Sequence, residues 1–431
     1  MTTIKRLERL KSEFTHTKKE LCRDDIIDDL RRRIHSIMDR RPAIVGKHSL
    51  FHGNPVSLKT LTGGEEAEND AGKFFVTHNR IHGSYRHGFR RLQEISNIDM
   101  KTVSLLANHQ DLNHFDYTDA LFLDTETTGL SGGTGTLPFL IGMGWFEGES
   151  FVVRQIFVRD FAEERASLIF FLERVHRKRF LVTFNGKAFD AGLLSSRLIL
   201  NRLHDPPLAS IPHLDLLYPA RRLLGHRTIN SRLGTLEEAI LGIIREGDLF
   251  GSEIPQRYFV WLKSRDARHM DDVFLHNRLD LLSMVSLTIH LAEILKGHQD
   301  DDSVEQCDLI AASRLLADRG NMPEAAAILE TLICSDDTTI SHQSRQLLSL
   351  IYKREGNLDK AIHVWEMMHM DDPCDIFATV ELAKWYEHRA RNYKKAFLMV
   401  NRVLDESRDM TCKERKALTH RRNRLLVRSS A

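Results

Sequence analysis

The sequence predicts an α/β domain with a mixed sheet, followed by an all-α domain of helical repeats. Short apolar runs typical of buried strands lie between residues 120 and 184, and segments with helical periodicity alternate with them. The last third of the chain repeats a helix–turn–helix pattern every 34–36 residues. The 431 residues suffice for roughly three domains of about 150 residues each.

Composition favours a soluble globular protein. Hydrophobic residues make up 42% of the chain, charged residues 28%, and the formal net charge is +1, which excludes a wholly disordered chain and a collagen. No apolar stretch approaches the roughly 18 residues of a membrane span, so we expect no membrane contact. The five cysteines are far apart and form no CxxC pair, which predicts free thiols in a reducing cytoplasm.

The first predicted region, residues 1–118, is a helical and mixed extension. Apolar residues at helical spacing predict charged helices over residues 1–41, which Pro42 ends. Glycine and acidic residues over 62–72 predict a turn or loop, and the apolar run at 73–82 predicts a short strand.

The second predicted region, residues 119–298, is the α/β domain. Helices are expected between and after its strands, ending with a long helix over 269–295, and such a layer argues for a mixed sheet. Functional groups are expected at the carboxyl ends of the strands. The predicted strands cover residues 120–124, 137–146, 151–158 and 180–184.

The third predicted region, residues 303–431, consists of tetratricopeptide-like repeats. Gly320 and Gly356 occupy equivalent turns, and a small alanine follows each turn at the same helical place. Each such helix pair buries its apolar face only against its neighbours, so about three units form one stacked body. We expect this domain to bind a protein partner.

Five residues in three separate segments predict the chemistry. Asp124 and Glu126 end a strand two residues apart, so both carboxylates point to the same side and repel each other unless a divalent cation lies between them. Asp190 lies in the first turns of the helix that follows the strand predicted over residues 180–184. His276 and Asp280 are four residues apart, hence on one face of the last long helix.

The order D-x-E, then FD, then H-x-x-x-D resembles the DEDD group of 3′–5′ exonucleases on a ribonuclease H-like fold. Over residues 119–295, the stretches LDTETTGLSGGTGTLPFLIGMG, FNGKAFDAGLL, HLDLLYPARRLL, GTLEEAILGIIREGDLFGSEIPQRYF and HNRLDLLSM resemble the YprB family of bacterial ribonuclease H-like proteins. The chain departs from both common DEDD forms. One has a Tyr at the position of His276, and the other places its His where Leu275 stands.

These residues indicate a two-metal nuclease site. The carboxylates of Asp124, Glu126, Asp190 and Asp280 would hold two Mg²⁺ or Mn²⁺ ions, and His276 is the candidate general base. The candidate substrate-binding residues follow the strand ends: Thr127, Thr128, Gly129 and Asn185. The loop with Gly132, Gly133 and Gly135 either approaches the substrate or simply connects two strands.

The sequence therefore predicts a metal-dependent nuclease, and the resemblance implies a 3′–5′ exonuclease on single-stranded DNA or RNA. No residue pattern in the sequence distinguishes exo from endo cleavage, and none recognises the 2′-hydroxyl, so both the cleavage mode and the choice between DNA and RNA stay open. One alternative is a catalytically weak or inactive nucleic-acid-binding or scaffold protein. The other is primarily an interaction protein that uses its helical repeats.

Overall fold

The computed structural model of the protein describes residues 54–129, 135–203, 208–297, 303–407 and 410–429. The helices predicted before Pro42, together with Gly132 and Gly133, lie outside the described residues. Among the described helices, none is both long and apolar enough to cross a membrane.

A seven-stranded mixed sheet forms the centre of the α/β domain. The strands are β1 (Glu65–Asn69), β2 (Gly72–His82), β3 (Arg86–His87) and β4 (Arg90–Arg91), which pair separately, β5 (Ala120–Thr127), β6 (Pro138–Glu147), β7 (Ser150–Phe157), β8 (Phe180–Thr183) and β9 (His213–Asp215). Their order in the sheet is β1-β2-β7-β6-β5-β8-β9. The first five strands in this order pair antiparallel, whereas β5, β8 and β9 pair parallel. The predicted mixed sheet is confirmed.

The loop predicted over residues 62–72 is wrong for most of its length. Glu65–Asn69 pairs with β2 as an edge strand, and its charged side chains face solvent, as edge strands commonly do. The side chain of Asn69 accepts a hydrogen bond from the Ala71 amide (3.0 Å) and forms the turn. Because β1 and β2 belong to the central sheet, the predicted boundary between residues 118 and 119 divides that sheet and must move.

The two faces of the sheet follow from alternation along β5. The helices before the C-terminal region are α1 (Leu58–Thr62), α2 (Met100–Ala107), α3 (Glu164–Val175), α4 (Asp190–Leu200), α5 (Leu217–Leu224), α6 (Leu233–Leu236), α7 (Ile254–Ser264) and α8 (Asp271–Lys296). Leu121 and Leu123 pack with α3 and α4 on one face, whereas Phe122 belongs to the core that contains α8 on the other. Helix α6 continues as a single π turn over Glu237–Leu241.

The C-terminal region is all-helical, as predicted. Its first three helix pairs share one turn geometry, with left-handed backbone at Gly320, Gly356 and Arg391. The small alanines predicted after these turns are fully buried, which lets the paired helices approach closely. The helices are α9 (Gln306–Asp318), α10 (Met322–Leu332), α11 (Thr338–Arg354), α12 (Leu358–Asp371), α13 (Ile376–His388), α14 (Tyr393–Glu406) and α15 (Cys412–Ser429).

An ion-pair cluster joins the first of these helices to the α/β domain. Asp308 is fully buried and pairs with Arg227 (2.7 Å) and His226 (2.9 Å). With Cys307, the donor atoms of His226 and Asp308 lie within 4.8 Å of one another, a spacing that a metal ion accepts. Arg227 already neutralises Asp308, so we interpret this cluster as an electrostatic tie between the domains.

Candidate active site

The end of the central strand β5 carries two of the predicted acids. Asp124 and Glu126 share the α8 face of the sheet with Phe122, because side chains two residues apart in a strand point the same way. The side chain of Glu126 is 12% exposed, and Asp124 is partly buried. Both carboxylates therefore lie at the carboxyl end of a buried strand, under the first turns of α8.

Asn277 of α8 fixes the position of Asp124. Its amide nitrogen donates to Asp124 Oδ2 (2.7 Å) and to the Asp124 carbonyl oxygen (3.3 Å). Asn277 reaches β5 across Gly142, the residue that pairs with Asp124 in β6. A Cβ at Gly142 would lie 2.2 Å from Asn277 Oδ1. Only glycine leaves room for this contact, which gives Gly142 a specific role.

A buried polar chain holds Asn277 in turn. Gln155 of β7 donates to Asn277 Oδ1 (2.9 Å) and to the carbonyl oxygen of Phe274 (2.7 Å). Thr77 of β2 donates to Gln155 Oε1 (3.1 Å). Asn277, Gln155 and Thr77 are all buried, so each hydrogen bond offsets the cost of removing these groups from water. Four neighbouring strands therefore contribute to the position of Asp124.

Asp190 reaches the same strand end from the opposite face. It is the first residue of α4, and the Thr125 hydroxyl donates to its carboxylate. The loop before it is held by Asp215, which accepts backbone N–H groups from Asn185 (2.7 Å) and Lys187 (3.0 Å). Asp215 itself ends β9. Its two accepted backbone hydrogen bonds give Asp215 a structural role in holding the loop before α4.

Asp280, the fourth acid, is bound by an arginine. Arg245 Nη2 donates to Asp280 Oδ1 (2.6 Å) and also to the carboxylate of Glu237. Glu237 is only 2% exposed and Arg245 only 8%, so this is a largely desolvated ion-pair group. The sequence did not predict Arg245 and Glu237 as neighbours of the acids.

His276 lies between the acids and a fifth carboxylate. Its Nε2 is 4.0 Å from Glu126 Oε1 and 3.7 Å from Asp280 Oδ2. Its Nδ1 is 2.8 Å from Asp248 Oδ1. The imidazole therefore faces the predicted acid cluster with one nitrogen and Asp248 with the other.

Burial and like charge dominate the electrostatics of the strand end. Burial first, then the charges of Asp280 and Asp190, raises the pKa of Asp124 well above its usual range. Burial and the charges of Asp124 and Asp280 do the same to the pKa of Glu126. Burial raises the pKa of Asp190 to about 6, although the Thr125 hydrogen bond opposes the shift. The protein thus holds these acids close together at a cost.

The ligand types at the strand end suit hard divalent cations. Among the described residues, no lysine or arginine forms an ion pair with Asp124, Glu126 or Asp190, so their mutual repulsion is left for another cation to relieve. Carboxylate oxygens are the ligands that Mg²⁺ and Mn²⁺ prefer. Asp280 retains one oxygen, Oδ2, that Arg245 does not bind.

The predicted substrate-binding residues lie around this strand end without sharing one orientation. Thr127 is buried, and its hydroxyl donates to the Gly129 carbonyl oxygen (2.7 Å). Thr128 accepts a hydrogen bond from the Leu137 amide through its hydroxyl (3.0 Å). Asn185 is exposed and has a left-handed backbone (φ 66°). The side chains of Thr127 and Thr128 are thus engaged within the protein, whereas that of Asn185 is open to solvent.

A groove of about 440 Å³ opens beside Arg245 and Asp248. Its wall includes Tyr85 and Arg86 from the β2–β3 segment and Leu275 from α8. Tyr85 is 46% exposed and Leu275 42%, so the wall presents apolar as well as charged surface.

Sequence reasoning missed Asn277, Gly142, Arg245, Asp248 and Glu237. A partial signal existed, because all five lie in stretches that carry the family resemblance. Their contacts depend on how a loop and a helix pass over the sheet, which residue spacing alone does not give.

Comparison with known proteins agrees with the fold described above. A family model of the ribonuclease H superfamily matches residues 121–292, which contain every predicted catalytic residue. The chain is 32% identical over 351 residues to the uncharacterized protein YprB of Bacillus subtilis (strain 168). The aligned residues cover 79% of this chain and 83% of that protein. The chain therefore belongs to the YprB family of ribonuclease H-like proteins.

Proposed function

We propose that the protein is a metal-dependent nuclease, a 3′–5′ exonuclease that hydrolyses phosphodiesters of single-stranded DNA or RNA. One observation carries the proposal. Acids from β5, α4 and α8 meet at the carboxyl end of the central strand, where burial and mutual repulsion raise the pKa of three of them. Membership of the ribonuclease H superfamily supports nucleic-acid processing.

In this proposal, Asp124, Glu126, Asp190 and Asp280 hold two Mg²⁺ or Mn²⁺ ions. Bound there, such ions supply a Lewis acid and lower the pKa of water. His276 accepts the proton of the attacking water at Nε2, the nitrogen that faces Glu126 and Asp280. Asn277 keeps the Asp124 carboxylate oriented through its 2.7 Å hydrogen bond.

The proposed substrate path runs along the groove beside Arg245 and Asp248. Thr127, Thr128, Gly129 and Asn185 border the strand end and would contact the terminal nucleotide. Tyr85, 46% exposed on the groove wall, offers a ring for a base to stack on. Exposed ring faces of this kind bind unpaired bases, which favours single-stranded ends over duplexes.

The test uses the purified full-length chain with Mn²⁺ and end-labelled single-stranded, duplex and short oligonucleotides of DNA and RNA. We expect stepwise shortening from the 3′ end, abolished by chelator. Asp124→Asn and Asp190→Asn should each lower the rate by at least about 100-fold, because each removes a ligand worth several kcal/mol of transition-state stabilisation. Asp271→Asn, an exposed acid on helix α8 outside the predicted acid cluster, is the control and should keep full activity. Intact oligonucleotides under all conditions would refute the proposal.

One observation favours the second candidate, a nucleic-acid-binding or scaffold protein without turnover. Arg245 already pairs with Asp280, so part of the acid cluster has a cation supplied by the protein itself. Binding of a labelled oligonucleotide with no cleavage in Mg²⁺ or Mn²⁺ would support this candidate over the nuclease.

The remaining proposals concern the repeats and the location. The stacked helix pairs of residues 303–431 would bind a protein partner, and deletion of these residues should abolish capture of that partner. A cytoplasmic location is proposed because the five cysteines are an odd number and lie far apart in the sequence. The four that the structure describes are free thiols.

A further inference from the structure

We propose that Asp248 is a positioning residue that fixes the tautomer and the direction of the His276 ring. The inference deepens the proposed function and rests on it only for its catalytic consequence. The sequence offered no role for Asp248, and nothing in the ribonuclease H-like pattern described above assigns it one.

The hydrogen bond between the two side chains sets the tautomer. Asp248 Oδ1 lies 2.8 Å from His276 Nδ1, much nearer than the competing donor Arg245 Nη1 at 3.5 Å, and a carboxylate can only accept, so Nδ1 carries the proton. In the neutral ring, Nε2 is then the unprotonated nitrogen. That nitrogen is the one that faces Glu126 and Asp280 at 4.0 Å and 3.7 Å. The ring is thus aimed at the acids with its accepting side.

Asp248 is itself anchored on two sides. Arg245 Nη1 donates to its Oδ2 (3.2 Å), and the Leu249 amide donates to its Oδ1 (2.9 Å). The same Arg245 binds Asp280 (2.6 Å) through its other nitrogen. The guanidinium of Arg245 therefore sets the distance between the Asp248 carboxylate, on the Nδ1 side of the imidazole, and the Asp280 carboxylate, on its Nε2 side.

The charge state of Asp248 is consistent with this role. Burial alone would raise its pKa, but the hydrogen bond from His276 and the charge of Arg245 act against burial, and the pKa is lowered. Asp248 therefore stays an acceptor at neutral pH. Its position on the Nδ1 side places the imidazole between it and the strand-end acids, so it supports the ring and does not join their ligand set.

The first experiment measures the tautomer directly, by ¹⁵N NMR of the full chain in chelator. The chain has 22 histidines, so the His276 signals are assigned by comparison with His276→Gln. We expect the Nδ1–H tautomer in the natural protein. Asp248→Asn presents an amide N–H to Nδ1 and should move the proton to Nε2, whereas Glu246→Gln, an exposed neighbour on the same loop, should change nothing. An unchanged tautomer in Asp248→Asn would overturn the inference.

The second experiment measures its catalytic consequence on a single-stranded oligonucleotide with Mn²⁺. Asp248→Asn should lower kcat by about 100-fold with little change in KM, and Asp248→Glu should restore part of the loss. In a His276→Gln background, Asp248→Asn should cause no further loss, because both changes act through one ring. A full additional loss there would contradict a role through His276. If the natural protein cleaves nothing, the proposed function fails, and the NMR result still decides whether Asp248 sets the ring.

Discussion

Two buried carboxylate sites, one in each domain, show opposite electrostatics. Glu387 of α13 is fully buried, and three arginines of α15 bind it: Arg421 (2.7 Å), Arg424 (2.7 Å) and Arg428 (3.3 Å). Burial acts to raise the pKa of Glu387, but the hydrogen bond and charge of Arg424 and the charge of Arg421 outweigh it and lower the pKa. Asp124 and Glu126 are surrounded by other acids, and their pKa values are raised.

The difference separates a structural carboxylate from one held for a ligand. Where the chain supplies its own cations, ionisation of the acid stabilises the fold. The Glu387 contacts thereby hold α15 against α13. Where the chain supplies none, ionisation opposes folding, and the acids are useful only if something else neutralises them. Asp280 lies between these cases, because Arg245 binds one of its oxygens and leaves the other free.

The largest expected effect on stability comes from Arg245→Met. This change would leave the Asp280 carboxylate without its cation, like the carboxylates of the strand-end acids. Two carboxylates, one of them only 2% exposed, would lose their cation. Breaking a buried pair in this way costs about 3 kcal/mol, measured as the free energy of unfolding in urea with chelator present. Arg402→Met, which removes an exposed ion pair with Glu406, is the control and should leave the midpoint unchanged. Equal midpoints for both variants would contradict the comparison.

The next effect should follow from Glu387→Gln. The amide cannot satisfy three guanidinium groups, so charge-assisted hydrogen bonds are lost and the contact between α13 and α15 weakens. We expect a loss of about 2 kcal/mol in the free energy of unfolding. Thermal unfolding followed by circular dichroism measures it, and amide exchange in α15 should rise selectively. A stability gain would show that the charge of Glu387 opposes folding, as the charges of the strand-end acids do.

How much of this comparison could be predicted from sequence depends on periodicity. The shared direction of Asp124 and Glu126 follows from the two-residue period of a strand, and the neighbouring faces of His276 and Asp280 follow from the helix period. The strand register adds Gly142 opposite Asp124, which no spacing rule gives. The approach of Asn277 to that glycine depends on where α8 crosses the sheet.

Loops and edges were the least predictable parts. Arg245 and Asp248 lie in a segment without periodicity, so their contacts with α8 exist only in the folded chain. Residues 65–69 looked like a loop because their charges suit solvent, yet a solvent-facing edge strand has the same composition. The mixed sheet and the all-helical C-terminal region were predictable because many residues contribute to each pattern.

A smaller effect, of opposite sign, is expected for Asp124→Asn. Removal of one charge from the repelling acids should stabilise the metal-free protein by about 1 kcal/mol, while the side-chain oxygen still accepts the 2.7 Å hydrogen bond from Asn277. Urea unfolding in chelator measures the gain. Added Mn²⁺ should stabilise the natural protein and not the variant. Destabilisation without metal would mean that the repulsion between these acids is already relieved.

An effect of similar size is a pH dependence with a reversed sign at the strand end. The folded-state pKa of Asp190 is about 6, above its usual 3.8, so its contribution to stability is complete below the usual value and is lost as pH rises through about 6. From about pH 7.5 to 5.5, the metal-free protein should therefore gain about 1 kcal/mol from this group. Glu387 has the opposite sign, because its lowered pKa gives stability that is lost only as pH falls below 4.5.

Histidines titrate in the same window as Asp190, so the informative quantity is the difference in the free energy of unfolding between the natural protein and Asp190→Asn at the two pH values. A difference that vanishes would mean that Asp190 is already ionised without cost, and the strand-end acids would then resemble Glu387 after all.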